Sequence, residues 1–253
     1  MMQLTNYFIW FMTYSFIGWI YESTICSIPK HHKFINRGYL HGPYCPIYGA
    51  GAVINLILLK NVESPIVIFI IAMVTSSIIE YVTSYVMEKV FLARWWDYSH
   101  LPCNLQGRIC LYGSLIFGGA NVALIELVHP LLMNLSGTIS PKVLQISAIL
   151  LFVTILFDCI FTTIHMNDFN IKLKNKESFL SIPNTVAITI NNEEDIQDKR
   201  DNPNVVNNVG TLMNIDSIKT HFKNSELRIL YAFPKFKSTR YSSIVERIKE
   251  IIR

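Results

Sequence analysis

Three carboxylates lie inside long apolar segments of the sequence, where an ionised side chain is costly. Glu22, Glu80 and Asp158 each fall toward one end of such a segment. A charge in hydrocarbon costs at least about 2.5–3.5 kcal/mol, so intramembrane carboxylates usually face a polar interior and mark function. At 1.5 Å per residue, Glu80 and Asp158 share a depth of roughly 21 to 23 Å. These residues are therefore candidates for a substrate pathway.

Arginines and a further carboxylate lie in the two loops next to that depth. Arg37 lies in the first of these loops, and Arg94, Asp97 and Arg108 lie in the second. Such ion pairs can lock a fold or bind a charged headgroup, and the sequence leaves both roles open. The second loop also holds the aromatic residues Trp95, Trp96 and Tyr98, which are typical of a plain aromatic belt at the membrane interface.

The first loop contains a turn rich in glycine and proline, formed by Gly38, Gly42, Pro43, Pro46 and Gly49. Broken helices at membrane depth occur only inside protein or beside a wet cavity. A broken helix start also presents free N–H groups that favour anions. Taken alone, however, the pattern favours an ordinary interfacial turn with proline in the first helical turn.

Five apolar segments must position these residues, and they predict an all-α polytopic membrane bundle. Most of them have the length of about 20 residues that a helix needs to cross roughly 30 Å of hydrocarbon. The second segment is the shortest. The first lacks the basic start and cleavage site of a signal peptide, so we expect it to be retained. The segments are Leu4 to Cys26, Tyr44 to Leu59, Ile66 to Val90, Ile109 to Leu132 and Val143 to Met166.

The positive charges give this bundle a predicted orientation. Of 22 Lys and Arg residues, three lie between the first and second segments, three lie at the end of the third segment or between it and the fourth, and fourteen lie after the fifth. Because Lys and Arg are retained on the cytoplasmic side, the pattern predicts an outside N-terminus and a cytoplasmic tail. We therefore expect a multi-pass protein of the cell membrane, in contact with membrane lipids.

The tail changes composition abruptly and divides the chain into three predicted parts. Residues 1–168 form the transmembrane helical domain, and 169–224 form a polar, flexible cytoplasmic linker that cannot bury enough apolar surface to fold alone. Residues 225–253 end in an amphipathic helix, because apolar residues recur there at helical spacing. That helix requires a partner surface, which is either the protein's own loops, a second protein or the inner leaflet.

Several of these motifs together resemble the putative ABC-transporter type IV permease family, also called CmpB-like. The resemblance covers about residues 4 to 166, and its motifs occur in the family's order. They are Tyr21-Glu22-Ser23, Arg37-Gly38, Gly42-Pro43, Pro46-Ile47-Tyr48-Gly49, Glu80-Tyr81, Met87-Glu88, Trp95-Trp96-Asp97-Tyr98-Ser99 and Gly107-Arg108-Ile109-Cys110. The resemblance implies a permease subunit that translocates a substrate which the sequence does not identify.

If the resemblance holds, other chains must complete the transporter. The sequence contains no G-x-x-x-x-G-K-[ST] phosphate loop, so nucleotide hydrolysis requires a separate ATP-binding subunit. Five spans are few for a complete pathway, which favours a homo-oligomer or a paired permease. The sequence does not identify catalytic residues, and without a nucleophile motif or an ATPase motif it favours a protein that is not itself an enzyme. We predict no cofactor and no metal site, because no metal-ligand spacing is present.

Two other classes of function can be compared with transport. Carboxylates, arginines and tryptophans at headgroup depth could instead form a membrane-embedded lipid-binding protein or an enzyme at the inner leaflet. This interpretation is the alternative to the permease. A nucleic-acid partner is not expected, because the eleven Asp and Glu residues of the tail offset its Lys and Arg residues.

Overall fold

The computed structural model describes residues 2–27, 34–180 and 222–252, and helices make up most of these ranges. Four short strands accompany them: β1 (Ala93–Arg94), β2 (Asn104–Leu105), β3 (Ile109–Cys110) and β4 (Lys237–Ser238). The helices are α1 (Met2–Ser23), α2 (Pro46–Leu58), α3 (Pro65–Phe91), α4 (Leu111–Gly137), α5 (Pro141–Leu180), α6 (Asn224–Ala232) and α7 (Ser242–Ile252).

The five apolar segments of the sequence correspond to α1 through α5, and the predicted class of helical membrane bundle is confirmed. Within the described part of the chain, three helices are long and apolar enough to cross a membrane: Pro65–Phe91, Leu111–Gly137 and Pro141–Asn175. Helix α2 has 13 residues, so at 1.5 Å per residue it is roughly 20 Å long and shorter than the hydrocarbon layer. The count of five spans and the outside N-terminus therefore stay predictions.

Helices α1 and α2 pack unusually closely because glycines lie at their contact. A Cβ atom on Gly18 would lie 2.3 Å from Cγ of Tyr48. A Cβ atom on Gly49 would lie 2.2 Å from Oγ of Ser15 and 2.3 Å from the carbonyl oxygen of Phe11. Small residues of this kind let membrane helices approach one another closely. Gly49, predicted as part of a broken-helix turn, thus lies inside α2 at a helix contact.

The outward surfaces of the three long helices are apolar, as expected of a bundle surrounded by lipid. Large exposed side chains on them include Ile78 of α3, Leu127 of α4 and Phe157 of α5. Helix α4 contains one π-helical turn, Leu124–Val128, between its α-helical parts Leu111–Ala123 and His129–Gly137.

The end of the chain folds back onto the bundle. We call residues 222–252 the C-terminal segment. Its strand β4 pairs antiparallel with β1, so that Ala93 lies opposite Ser238. The predicted amphipathic helix is α7, and it buries Ile244, Val245 and Ile248 in one apolar cluster with Trp95, Phe169 and Phe236. The segment therefore packs on the protein's own second loop and on α5.

The predicted division into three parts stays a prediction, but the helix boundaries differ from it. Helix α5 ends at Leu180, beyond residue 168, where the sequence suggested that the linker begins. Phe169 and Leu173 of this extension are fully buried against the C-terminal segment. Residues 181–221, the rest of the predicted linker up to the start of that segment, lie outside the described residues.

Candidate functional site

The candidate site lies where α1 and α3 end, next to the two loops that carry the predicted residues. We call this end of the bundle the loop face; it comprises residues 34–45, residues 92–110 and the C-terminal segment. Here Glu22, Arg37, Tyr48, Glu80 and Tyr98 form what we call the carboxylate cluster. Pro46 begins α2, which places the Tyr48 ring in its first turn, facing α1.

Glu22 has two partners in the cluster. The Tyr48 hydroxyl donates a hydrogen bond of 2.7 Å to its Oε1 atom. Nε of Arg37 lies 3.6 Å from its Oε2 atom, and the same guanidinium donates to the carbonyl of Cys26 at 3.1 Å. Glu22 and Arg37 therefore form an ion pair, which compensates the charge of this carboxylate.

Glu80 lies in a different environment, although its charge interacts with that of Glu22. Only 6% of the residue is exposed. The Tyr98 hydroxyl donates a hydrogen bond of 3.1 Å to Oε1, and the buried Oε2 atom has no hydrogen-bond partner among the described residues. A buried carboxylate without a cation is expensive in its ionised form. Glu22 can thus stay ionised beside Arg37, while Glu80 can accept one proton or one cationic group.

Arg94 and Arg108 both form ion pairs with a third carboxylate, that of Glu88. Both contact Oε2 of Glu88, Arg94 through Nε at 3.0 Å and Arg108 through its terminal nitrogen at 2.8 Å. Arg108 also donates to Oγ of Ser84 at 3.2 Å, and its backbone carbonyl accepts from the indole of Trp96 at 2.9 Å. These contacts hold the second loop against the end of α3.

Asp158, predicted at the same depth as Glu80, binds the glycine- and proline-rich turn instead of joining the carboxylate cluster. Its Oδ1 accepts from the backbone N–H of His41 at 3.0 Å, and its Oδ2 accepts from that of Gly42 at 2.7 Å. The hydroxyls of Tyr44 and Thr162 donate to the same carboxylate at 2.7 and 3.0 Å. The N–H groups of the turn thus bind the protein's own aspartate, and they precede the helix start at Pro46 for which the sequence suggested an anion.

The same turn is held from its other side by the C-terminal segment. Arg228 donates to the carbonyls of Asn36 at 3.2 Å, Gly38 at 2.9 Å and Tyr39 at 3.0 Å. Burial lowers the pKa of the Arg228 guanidinium, and Asp158 partly offsets that effect. Sequence reasoning missed Arg228, because nothing in its local sequence indicates a contact so far away along the chain.

Asp97 connects the second loop to the C-terminal segment. Its Oδ1 accepts from the backbone N–H of Ser99 at 2.9 Å, and Nζ of Lys237 lies 3.1 Å from Oδ2. Burial alone would raise the pKa of Asp97, but these hydrogen bonds and the Lys237 charge outweigh it and lower the pKa to about 2. Trp95, which could have belonged to an aromatic belt, is only 3% exposed and packs against Phe236.

A second polar group that sequence reasoning missed lies deeper in the bundle. Asn55 of α2 donates to Oδ1 of Asn121 of α4 at 3.0 Å and to Oγ of Ser76 of α3 at 3.2 Å. Thr75 donates to Oδ1 of Asn55. The sequence signal that could have identified this group is the presence of asparagines inside apolar segments. Since these amides satisfy one another, they hold three helices together.

Residues 9–163 match the family described as putative ABC-transporter type IV. The chain belongs to this family. The matched range of this ABC-transporter family member includes Glu22, Glu80, Asp158 and both loops, whereas the C-terminal segment lies outside it. Family and apolar helices together identify a transporter-like membrane protein. No match was found among curated proteins, and none among solved structures.

Proposed function

We propose that this chain is the membrane-spanning permease subunit of an ABC transporter and works with a separate ATP-binding subunit. Family membership supports transport, and the 253 residues contain no phosphate loop of the kind that binds ATP. The observation that carries the proposal is Glu80, a buried carboxylate in the interior of the long apolar helix α3 that has no cationic partner among the described residues. Such residues mark substrate or ion pathways in membrane proteins.

The carboxylate cluster is the proposed part of the pathway that this chain supplies. Arg37 compensates the charge of Glu22. The main role of this carboxylate is therefore to accept the hydrogen bond from Tyr48 and so to position the first turn of α2. None of the described residues donates a hydrogen bond to the second carboxylate oxygen of Glu80. A cationic group of the substrate could occupy that position and gain an ion pair without displacing an existing one. Asp158 has four donors already, which assigns it to holding the first loop.

The loop face is the proposed contact surface for the ATP-binding subunit, and it would lie in the cytoplasm. Most of the Lys and Arg residues outside the apolar segments belong to its loops or to the tail, as the retention of positive charge predicts. His100 and Cys103 are exposed at the tip of the second loop. A homo-oligomer would supply the further helices that a complete pathway needs.

Purification of the tagged chain from its native membranes in mild detergent tests this function. We expect a stoichiometric partner whose sequence carries the phosphate-loop motif, and ATP hydrolysis by the complex in lipid nanodiscs. A crosslinker attached to the native thiol of Cys103 should reach that partner. Recovery of the chain without any ATP-binding protein, at an abundance that excludes loss in detergent, would contradict the proposal.

A matched pair of variants tests the pathway within such a complex. Glu80→Gln removes the charge at nearly constant shape, so we expect the complex to assemble but to lose substrate-stimulated ATP hydrolysis. Glu126→Gln is the control, because Glu126 lies on the exposed side of α4 outside the carboxylate cluster. Equal loss in both variants, or no loss in Glu80→Gln, would remove Glu80 from the pathway.

One observation favours lipid binding as a second candidate function. An apolar groove of about 370 Å³ lies between α3 and the β2–β3 hairpin, and its walls include Ile78, Val82, Leu105 and Ile109. Its shape and lining suit an acyl chain. Native mass spectrometry should then detect a retained phospholipid, and Ile78→Trp, which fills the groove, should release it. Arg94 and Arg108 are already paired with Glu88, which argues against their use for a headgroup.

A further inference from the structure

The distribution of arginines over the carboxylates of the loop face is uneven. Arg37 pairs with Glu22, whereas Arg94 and Arg108 both pair with Glu88. Glu80 lies on α3 two helical turns before Glu88, yet no Lys, Arg or His of the described residues lies within 4.0 Å of its carboxylate. Three arginines thus pair with two carboxylates, and Glu80, the more deeply buried glutamate of α3, has no cationic partner in the described ranges.

The other charged and titratable groups around Glu80 do not compensate it. Glu22 of α1 carries the same sign of charge, and Tyr98 of the second loop is a neutral donor. Ser84 lies about one turn further along α3, and its hydroxyl oxygen accepts a hydrogen bond from Arg108. The remaining groups at the site are Tyr48 of α2, bound to Glu22, and Cys110, which lies near Tyr98 at the start of α4. None of these carboxylate, phenol, hydroxyl and thiol groups carries a positive charge in either protonation state.

We propose that Glu80 is a proton-binding site, and that the carboxyl carries a proton at neutral pH in this conformation. In the protonated form Oε1 is the carbonyl oxygen that accepts from Tyr98, and the proton resides on Oε2, which has no other partner. A neutral carboxyl with one unsatisfied hydroxyl costs much less free energy than an unpaired buried carboxylate.

The proton site deepens the proposed pathway and concerns the same residue. A cationic group that reaches Oε2 must displace the proton, so each cation bound at Glu80 releases one proton. Exchange takes place from the loop face, since Tyr98, the hydrogen-bonding partner of Glu80 among the described residues, comes from the second loop. Protonation can be measured without a substrate or an ATP-binding subunit, so its test is independent of the transport assay.

Infrared spectroscopy of the purified chain in nanodiscs at neutral pH tests the proposal directly. A protonated carboxyl absorbs apart from ionised carboxylates. We expect the wild type to show such a band, Glu80→Gln to lose it, and the ion-paired control Glu22→Gln to keep it. An unchanged band in a folded Glu80→Gln variant, or a band lost in Glu22→Gln alone, would overturn the assignment.

Two further measurements keep the test decisive if Glu80→Gln does not fold. Tyr98→Phe removes the hydrogen bond to Oε1, so the band should move to higher wavenumber, while a band that stays in place cannot come from Glu80. Addition of sodium or potassium chloride at constant pH should leave the band in place. Loss of the band at physiological concentrations of either salt would show that a metal cation takes the place of the proton there, which would overturn the assignment of a protonated Glu80 at neutral pH.

Discussion

Replacement of Asp158 by asparagine should destabilise the protein by loosening the first loop. The carboxylate accepts four hydrogen bonds, two on each oxygen, and each oxygen receives one backbone N–H and one hydroxyl. In the Asp158→Asn variant the amide nitrogen must face one of those pairs. A hydroxyl can rotate and accept instead, but the N–H of His41 or Gly42 cannot, so one buried donor remains unsatisfied.

The magnitude follows from two contributions. An unsatisfied buried N–H costs about 1–3 kcal/mol, and each of the two remaining hydrogen bonds loses about 1 kcal/mol when its acceptor is no longer charged. We therefore expect the free energy of unfolding to fall by about 3–5 kcal/mol. The side chain of Asp158 is only 10% exposed, so solvent compensates little of this loss.

Denaturant titration in mixed micelles would measure the free energy, and hydrogen exchange would locate the change. The amides of His41 and Gly42 should exchange faster in the variant. Asp168→Asn is the matched control on the same helix, because the Asp168 side chain has no hydrogen bond or ion pair with the described residues. A loss below about 0.5 kcal/mol in Asp158→Asn, the range of ordinary surface substitutions, would refute this account of the loop.

Three further variants test other contacts. Arg228→Lys cannot reproduce the three-carbonyl contact, so limited proteolysis of the C-terminal segment should accelerate several-fold, whereas the exposed Arg240→Lys should behave as wild type. Because the pKa of Asp97 is about 2, below its unfolded value of about 3.9, its contribution of about 2–3 kcal/mol is complete above about pH 5 and is lost as the pH falls from there through 2; Asp97→Asn should abolish that acid dependence of unfolding. Gly49→Ala should cost about 1–3 kcal/mol of unfolding free energy through overpacking, while Gly51→Ala, with open space around it, should cost nothing.

Apolar runs were sufficient to place the five helices, because hydrocarbon requires long uninterrupted stretches of such residues. The bounds of α5 could not be obtained in this way. Its polar extension to Leu180 is stabilised by Phe169 and Leu173 against the C-terminal segment, and that contact depends on residues far away in sequence.

The candidate site was predictable in part. Charge in an apolar segment pointed to Glu22 and Glu80, and the structure places these two in one cluster. The same argument grouped Asp158 with them by depth, but depth does not determine the direction in which a side chain points around a helix. Asp158 faces the first loop instead. The pairing of Arg94 and Arg108 with Glu88 likewise depends on the path of the second loop, which local sequence does not fix.

The first loop is held by Asp158 of α5 and by Arg228 of the C-terminal segment. That segment is also bound to α5 and to the second loop by its own apolar cluster and by the pairing of β4 with β1. Two polypeptides, one ending near residue 180 and one beginning near residue 222, should therefore assemble when they are produced together. The C-terminal segment would then be a detachable brace, which could be withheld and restored to ask whether the first loop must be held for transport.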